Sequence, residues 1–277
     1  MNAVAITAAD VNKLRNTTGA GMMDCKKALV EAEGDFEKAI DILRKKGQKV
    51  AANRSDREAK EGYVIAKITP DSKLAAVISL NCETDFVAKN ADFVKLTEDI
   101  LAIAINTKST TKDSLEASSM VDGRTIAEHI TEAVGRIGEK IEIGAYALLT
   151  AEKAFAYNHP GNRCATIVGF NKTIADEKGK DVSMQIAAMA PIAIDKDDVS
   201  AETLEREIEI AKDQTRAEGK PEEMVEKIAL GKLNKFYKEN TLNNQEFIKD
   251  AKKTVLQYIQ EGDKEMKITA FKRVALS

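Results

Sequence analysis

The segment Gly19-Ala20-Gly21 is the first place in the sequence where residue types suggest a site. Closely spaced glycines let backbone amides approach a phosphate, but the dinucleotide-binding form of that loop needs a preceding strand and a third glycine. Here helical periodicity precedes the glycines and no third one follows, so the segment reads as a helix-to-helix turn. Catalysis and metal binding find little to use elsewhere. Cys25, Cys82 and Cys164 lie far apart, without CxxC or other metal spacing. Cys25 and Cys82 fall at apolar spacings and read as buried small hydrophobes. His129 and His159 are the only histidines, which argues against His-based acid–base chemistry and a His-rich metal site. His159, in Asn158-His159-Pro160-Gly161-Asn162, reads as an exposed turn residue. No nucleophile–base pair stands out, so an enzyme is not expected.

Two short segments point to binding instead. Met22 and Met23 follow the glycine turn. Adjacent side chains on a helix point about 100° apart, so a small domain cannot easily bury both. Core packing and an adaptable exposed contact both stay open for them. Thr84-Asp85-Phe86 sits where a strand ends and a helix is about to begin. Phe86 either caps the core or projects as a wedge. As a wedge it would suit a partner, since a rigid aromatic loses little rotamer entropy and its burial contributes roughly 1.5–3 kcal/mol.

The elements that must carry these residues follow from periodicity. Residues 1–47 read as three short helices, with Thr7 and Asp10 placed as a capping box and Gly47 as the final stop. Residues 48–61 are charged, with little periodic apolar content, and read as a linker. Gly62–Thr69 and Leu74–Cys82 alternate as strands around a turn, and helices follow through Ile103 and Ile137. Ile141–Leu149 is a strand that Ala154–Tyr157 extends; Cys164–Phe170 is another, followed by a helix ended by Pro191. Strand, turn, strand and helix thus recur, and the fold class is α+β, with two related subdomains at 62–140 and 141–277. Residues 200–238 form an antiparallel helical hairpin inserted in the second, turning at Gly219-Lys220-Pro221. A short helix around Leu256 and a last strand around Ala270 complete the chain.

Composition limits the function classes. Of 277 residues, 43% are hydrophobic and 31% charged, enough to fill a core and solvate a surface. Forty-two basic against forty-five acidic residues give a net charge of −3, without the basic excess that nucleic-acid binding predicts. The N-terminus lacks the charged n-region of a signal peptide, and no apolar run approaches the roughly 20 residues of a bilayer span. A cytoplasmic protein with reduced thiols and no membrane association is expected.

Two segments carry a family resemblance: Leu14-Arg15 with Thr18-Gly19-Ala20-Gly21-Met22-Met23-Asp24-Cys25-Lys26-Lys27-Ala28-Leu29, and Asn81-Cys82-Glu83-Thr84-Asp85-Phe86-Val87-Ala88-Lys89-Asn90. Both resemble signature segments of the elongation factor Ts family, in order and separation. So do GDFEKAIDILRKKG, Ala187-Ala188-Met189-Ala190-Pro191 and the DVSAE and GKPEEMVEK runs of the hairpin. The resemblance covers nearly the whole chain. It implies a small three-helix, ubiquitin-associated-like N-terminal domain and a projecting hairpin. It also implies a guanine-nucleotide exchange factor for elongation factor Tu, met in GDP-bound and nucleotide-free states, with no cofactor or metal and no chemistry of its own. Arg15, Met22 and Met23 match residues that dock on the partner. Thr84, Asp85, Phe86 and Val87 match the exchange segment, and the residues matching Asp85 and Phe86 intrude beside the partner's magnesium and phosphate site. Family members often carry a further C-terminal helical module, and a sequence ending at Ser277 is expected to lack that contact. A homodimer stays open. A ubiquitin-like or peptide-binding adaptor built on the three helices is the alternative, but it leaves Thr84-Asp85-Phe86 unexplained.

Overall fold

The computed structural model describes residues 6–277; Met1–Ala5, the start of the expected 1–47 domain and of the N-terminal reading above, lies outside the described residues. Thr7 caps helix α1 (Ala8–Thr18): its Oγ1 accepts the Asp10 N–H at 3.2 Å, and the Asp10 carboxylate accepts the Thr7 N–H at 3.0 Å. Gly19 ends the helix in the left-handed region at φ +66°, where a side chain is disfavoured. Helix α2 (Met22–Glu31) follows, then α3 (Phe36–Asn53), capped by the Asp35 carboxylate on the Lys38 N–H at 3.1 Å. Leu14, Cys25, Ala28, Leu29 and Ala39 form the core of the three, with Phe36, Ile40 and Leu43 packed against it.

Strands β1 (Glu61–Ile68) and β2 (Leu74–Cys82) come next, then α4 (Asp85–Ala88), α5 (Ala91–Thr107), α6 (Lys112–Glu116) and α7 (Ile126–Ile137). The third helix runs past the stop expected at Gly47, and residues 48–53 of the expected linker are its last turns. The reason lies across the chain. Helix α3 packs on α7, and a Cβ on Gly135 would stand 2.6 Å from the Gly47 Cα. Gly47 is therefore a crossing point where two backbones meet, and that packing offsets the roughly 1 kcal/mol a helical glycine costs.

Strand β3 (Glu142–Thr150) joins β1 and β2 in a sheet of order β1-β2-β3. The central β2 is buried at every position except Asn81, so both of its faces are covered, not only the one that alternation marked. Strands β4 (Lys153–Asn158) and β5 (Cys164–Phe170) pair antiparallel from Lys153↔Phe170 to Asn158↔Ala165. Residues 154–157 therefore do not extend the preceding strand. At the break, the Ala151 N–H donates to the Lys73 carbonyl and the next N–H, of Glu152, to the Phe170 carbonyl, so neighbouring amides commit to different partners.

Helix α8 (Asp176–Met189) packs on β4 and β5, ending two residues before Pro191 with Ala190 as its cap. Helices α9 (Ala201–Ala217) and α10 (Glu222–Asn240) form the hairpin, with Ala211, Thr215, Val225 and Ala229 buried along it. Strands β6 (Glu246–Phe247) and β7 (Asp250–Thr254) form a small sheet that periodicity did not show, before α11 (Val255–Ile259) and β8 (Ile268–Ala275), which joins β5 in the order β4-β5-β8. Phe155, Phe170, Val182, Ile186, Ile259 and Ile268 share one core.

The chain divides into two units. One comprises residues up to Ile65 with Ile78–Ala147 and Ala275–Ser277; the other comprises Ala66–Val77 and Leu148–Val274. Helix and strand mix throughout, as an α+β class requires. Among the described residues, no helix is long and apolar enough to cross a membrane.

Candidate functional site

Strand β2 delivers its last residue, Cys82, into the core and then releases the chain. Thr84 starts α4: its φ of −126° and ψ of 154° are extended, and its Oγ1 accepts the Val87 N–H at 3.5 Å. The helix lasts four residues because Asn90 caps the next one, accepting the Asp92 N–H at 2.9 Å. Within this short turn Ala88 is buried and Val87 half-buried, and Phe86 is 84% exposed. A large aromatic so exposed contributes almost nothing to the core, so the core-capping reading of Phe86 falls away.

The charges around the turn are ordered. Asp85 is exposed and paired with Lys89 Nζ at 2.6 Å, a bond that holds its carboxyl below the usual carboxylate range. Glu139 reaches in from the segment after α7. Its Oε2 accepts the Glu83 and Thr84 N–H groups at 3.1 and 3.0 Å, and its Oε1 accepts the Thr84 hydroxyl at 2.6 Å. Glu83 answers in the other direction, accepting the Lys140 N–H at 2.7 Å and Arg54 at 2.9 Å, with Arg57 at 3.4 Å. Burial pulls the Glu83 carboxyl up, but the Lys140 N–H and the two guanidinium groups outweigh it and hold it below its ordinary value. Cys82 donates to the Thr84 carbonyl at 3.1 Å; burial, then the Glu139 carboxylate, push its thiol up to about 12. It is a structural residue and not a thiolate nucleophile.

The second set lies on the first two helices. Met22 is 52% and Met23 63% exposed, so neither packs in the core. Arg15 is exposed in the last turn of α1, where its carbonyl accepts the Gly19 N–H at 2.7 Å. Gly21 caps α2 through its backbone alone, and the glycine segment is the expected helix-to-helix turn. Among the described residues, no hydrogen bond or ion pair joins Arg15, Met22 or Met23 to Thr84, Asp85, Phe86 or Val87; the structure presents two separate sets. His159 shares a 3.1 Å hydrogen bond with the Tyr157 hydroxyl, and no cluster of His, Cys, Asp or Glu among the described residues has the form of a metal site.

Sequence reasoning missed Glu83, Glu139, Lys140, Arg54 and Arg57. The one local signal is the position of Glu139, directly after Gly138, whose φ of +81° ends α7.

Comparison with known proteins adds an independent finding. The family model described as "Elongation factor TS" matches residues 83–277. The chain is 52% identical over 275 residues to "Elongation factor Ts" of Cytophaga hutchinsonii, covering 98% of this chain and 99% of that protein. It is 53% identical over 273 residues to that of Christiangramia forsetii, covering 98% of each. It is 48% identical over 274 residues to that of Porphyromonas gingivalis, covering 99% of each.

Proposed function

The chain belongs to the elongation factor Ts family, and on that premise we propose that it promotes release of GDP from the translational GTPase elongation factor Tu, so that GTP rebinds. The observation that carries this reading is Phe86: an aromatic ring 84% exposed on a turn whose backbone is held by the Glu139 carboxylate. An exposed ring on an ordered turn is a preformed anchor or wedge, with little entropy left to lose on binding.

The partner holds GDP through phosphate contacts and Mg²⁺. Factor and nucleotide must therefore bind with unfavourable, reciprocal coupling. A bias of about 10⁴ between states needs roughly 5.5 kcal/mol of differential affinity. One turn cannot supply that, so several surfaces share the work, over an interface on the order of 2,000 Å² or more. Arg15, Met22 and Met23 of the 1–47 docking domain anchor the partner, with further contact from the 141–277 half. Phe86 pushes between elements near the Mg²⁺ site, with Thr84 and Val87 shaping the turn beneath it. Asp85 brings a carboxylate near the phosphates, where like charge weakens their hold. GDP and magnesium loosen together. The chain acts in the cytoplasm and uses binding energy only, with no bond made or broken and no nucleotide or metal of its own.

The core consists of two related α+β halves, 62–140 and 141–277, with the hairpin projecting from the second; the repeated strand–turn–strand–helix order supports this. The test of function is fluorescent GDP release from elongation factor Tu, followed by stopped flow. Acceleration at substoichiometric factor is expected. Release at the intrinsic rate with excess factor refutes the assignment.

A further inference from the structure

Residues 83–84 and 139–140 hold each other by exchanged carboxylates. Glu139 accepts three hydrogen bonds from Glu83 and Thr84, at 2.6–3.1 Å, and Glu83 accepts the Lys140 N–H at 2.7 Å. Hydrogen bonds to a charged acceptor are the stronger kind. The two residues gripped by Glu139 immediately precede Asp85 and Phe86. Thr84 is the N-cap of α4, so its backbone angles set the direction in which that helix leaves the strand. A four-residue helix with Ala88 as its buried residue has little packing of its own to fix that direction. The core does not hold Phe86 in place, because the ring is 84% exposed. The clasp holds the two residues directly before Asp85 and Phe86.

We propose that Glu139 is a positioning residue for nucleotide exchange: it acts through Thr84 to aim Phe86, without touching the partner's nucleotide itself. The inference rests on the wedge reading of Phe86. A clasp of this kind has two consequences that general destabilisation would not have. Its loss affects the step Phe86 performs and leaves docking through the helical face in place. It also has no effect once Phe86 is gone.

The substitutions are Glu139→Ala, Glu139→Gln, Phe86→Ala and the double variant Phe86→Ala/Glu139→Ala, each in the full chain. Glutamine is the conservative rescue: its carbonyl oxygen accepts both backbone N–H groups, and its amide donates to Thr84 Oγ1. GDP release from elongation factor Tu is measured over a range of factor concentration, beside thermal melting of each free protein. Glu139→Ala is expected to lower the saturated release rate about ten-fold, the effect of roughly 1.4 kcal/mol of lost positioning. Its half-saturating concentration should move by less than about three-fold, as expected for an interaction felt only in the exchange step. Glu139→Gln should recover most of the rate. The double variant should be no slower than Phe86→Ala, since residues acting as one unit are not additive.

A wild-type saturated rate in Glu139→Ala, with Phe86→Ala slow, overturns the positioning role and leaves the wedge standing. A double variant slower than Phe86→Ala by the full Glu139→Ala factor also overturns it, because Glu139 then acts independently of the ring. A wild-type rate in Phe86→Ala overturns the wedge reading itself. If Glu139→Ala does not fold, Glu139→Asp, one methylene too short to keep all three hydrogen bonds, carries the same test alone and combined with Phe86→Ala; an undiminished saturated rate in a folded Glu139→Asp then overturns the role.

Discussion

Truncating Phe86 to alanine separates what the ring does for the free protein from what it does to the partner. In the free protein the ring is 84% exposed, so about a sixth of its surface is covered. Complete burial of such a side chain is worth roughly 1.5–3 kcal/mol, so truncation should cost only about 0.2–0.5 kcal/mol. For a chain of this size that lowers the melting temperature by about 2 °C at most. A core phenylalanine would instead cost about 3–5 kcal/mol. On the proposed reading the ring is buried against the partner in the complex, and the stage at which it is buried decides the kinetics. An anchor buried equally before and during release weakens the binary complex and leaves the saturated rate near normal. A wedge that contributes about 2 kcal/mol only as the nucleotide site distorts slows saturated release roughly 30-fold on removal. Stopped-flow GDP release at saturating factor, beside thermal melting, distinguishes the two. The expected result is a small change in melting and a large fall in the saturated rate. An unaltered saturated rate in a folded variant removes Phe86 from the mechanism, and a loss of several kcal/mol of stability would contradict its exposed placement.

Three further predictions bear on docking, packing and pH. Met22→Ala with Met23→Ala should leave melting nearly unchanged, since both side chains are more than half exposed, and should weaken partner affinity by about 1–2 kcal/mol in calorimetry; undiminished affinity rules out the docking role. Gly135→Ala should destabilise the chain by about 1–3 kcal/mol in denaturant titration, because its Cβ would meet the Gly47 Cα at 2.6 Å with no flexible side chain to yield; wild-type stability would show that the helices separate freely. Glu83 is held below its ordinary 4.5, against the pull of burial, by the Lys140 N–H, Arg54 and Arg57. A lowered carboxyl stabilises the fold above its ordinary value and ceases to do so as pH falls through the folded-state value, so the stability gap between the parent and Glu83→Gln should close between pH 6 and acid. A constant gap across that range refutes the ion-paired role.

Much of the architecture was legible because its signals are local. The Thr7–Asp10 box and the Gly19-Ala20-Gly21 turn each act within three or four residues of chain, and each stands in the structure as read. Strand β2 was readable from its alternation, though both of its faces proved buried, and the hairpin from the Gly219-Lys220-Pro221 turn. The site was half legible. The residue types of Thr84, Asp85 and Phe86 marked a segment at a strand end, but a phenylalanine in sequence looks the same whether it closes a core or faces solvent.

What tertiary structure alone decided shares one property: the deciding partner is distant in the chain. Gly47 reads as a helix stop until Gly135 is found against it, 88 residues on, and a missing side chain serves a stop and a close crossing equally well. Residues 154–157 read as more of one strand until β5 claims them, because an amide's alternation does not say which neighbour accepts its hydrogen. The Glu83–Glu139 clasp joins positions 56 residues apart with no periodicity to betray it. Caps, turns and apolar stripes are written by short-range sterics and hydrogen bonds, whereas which surfaces meet is settled only when the whole chain competes for burial. The exposure of Phe86 is the outcome of that competition, in which the core closed without the ring.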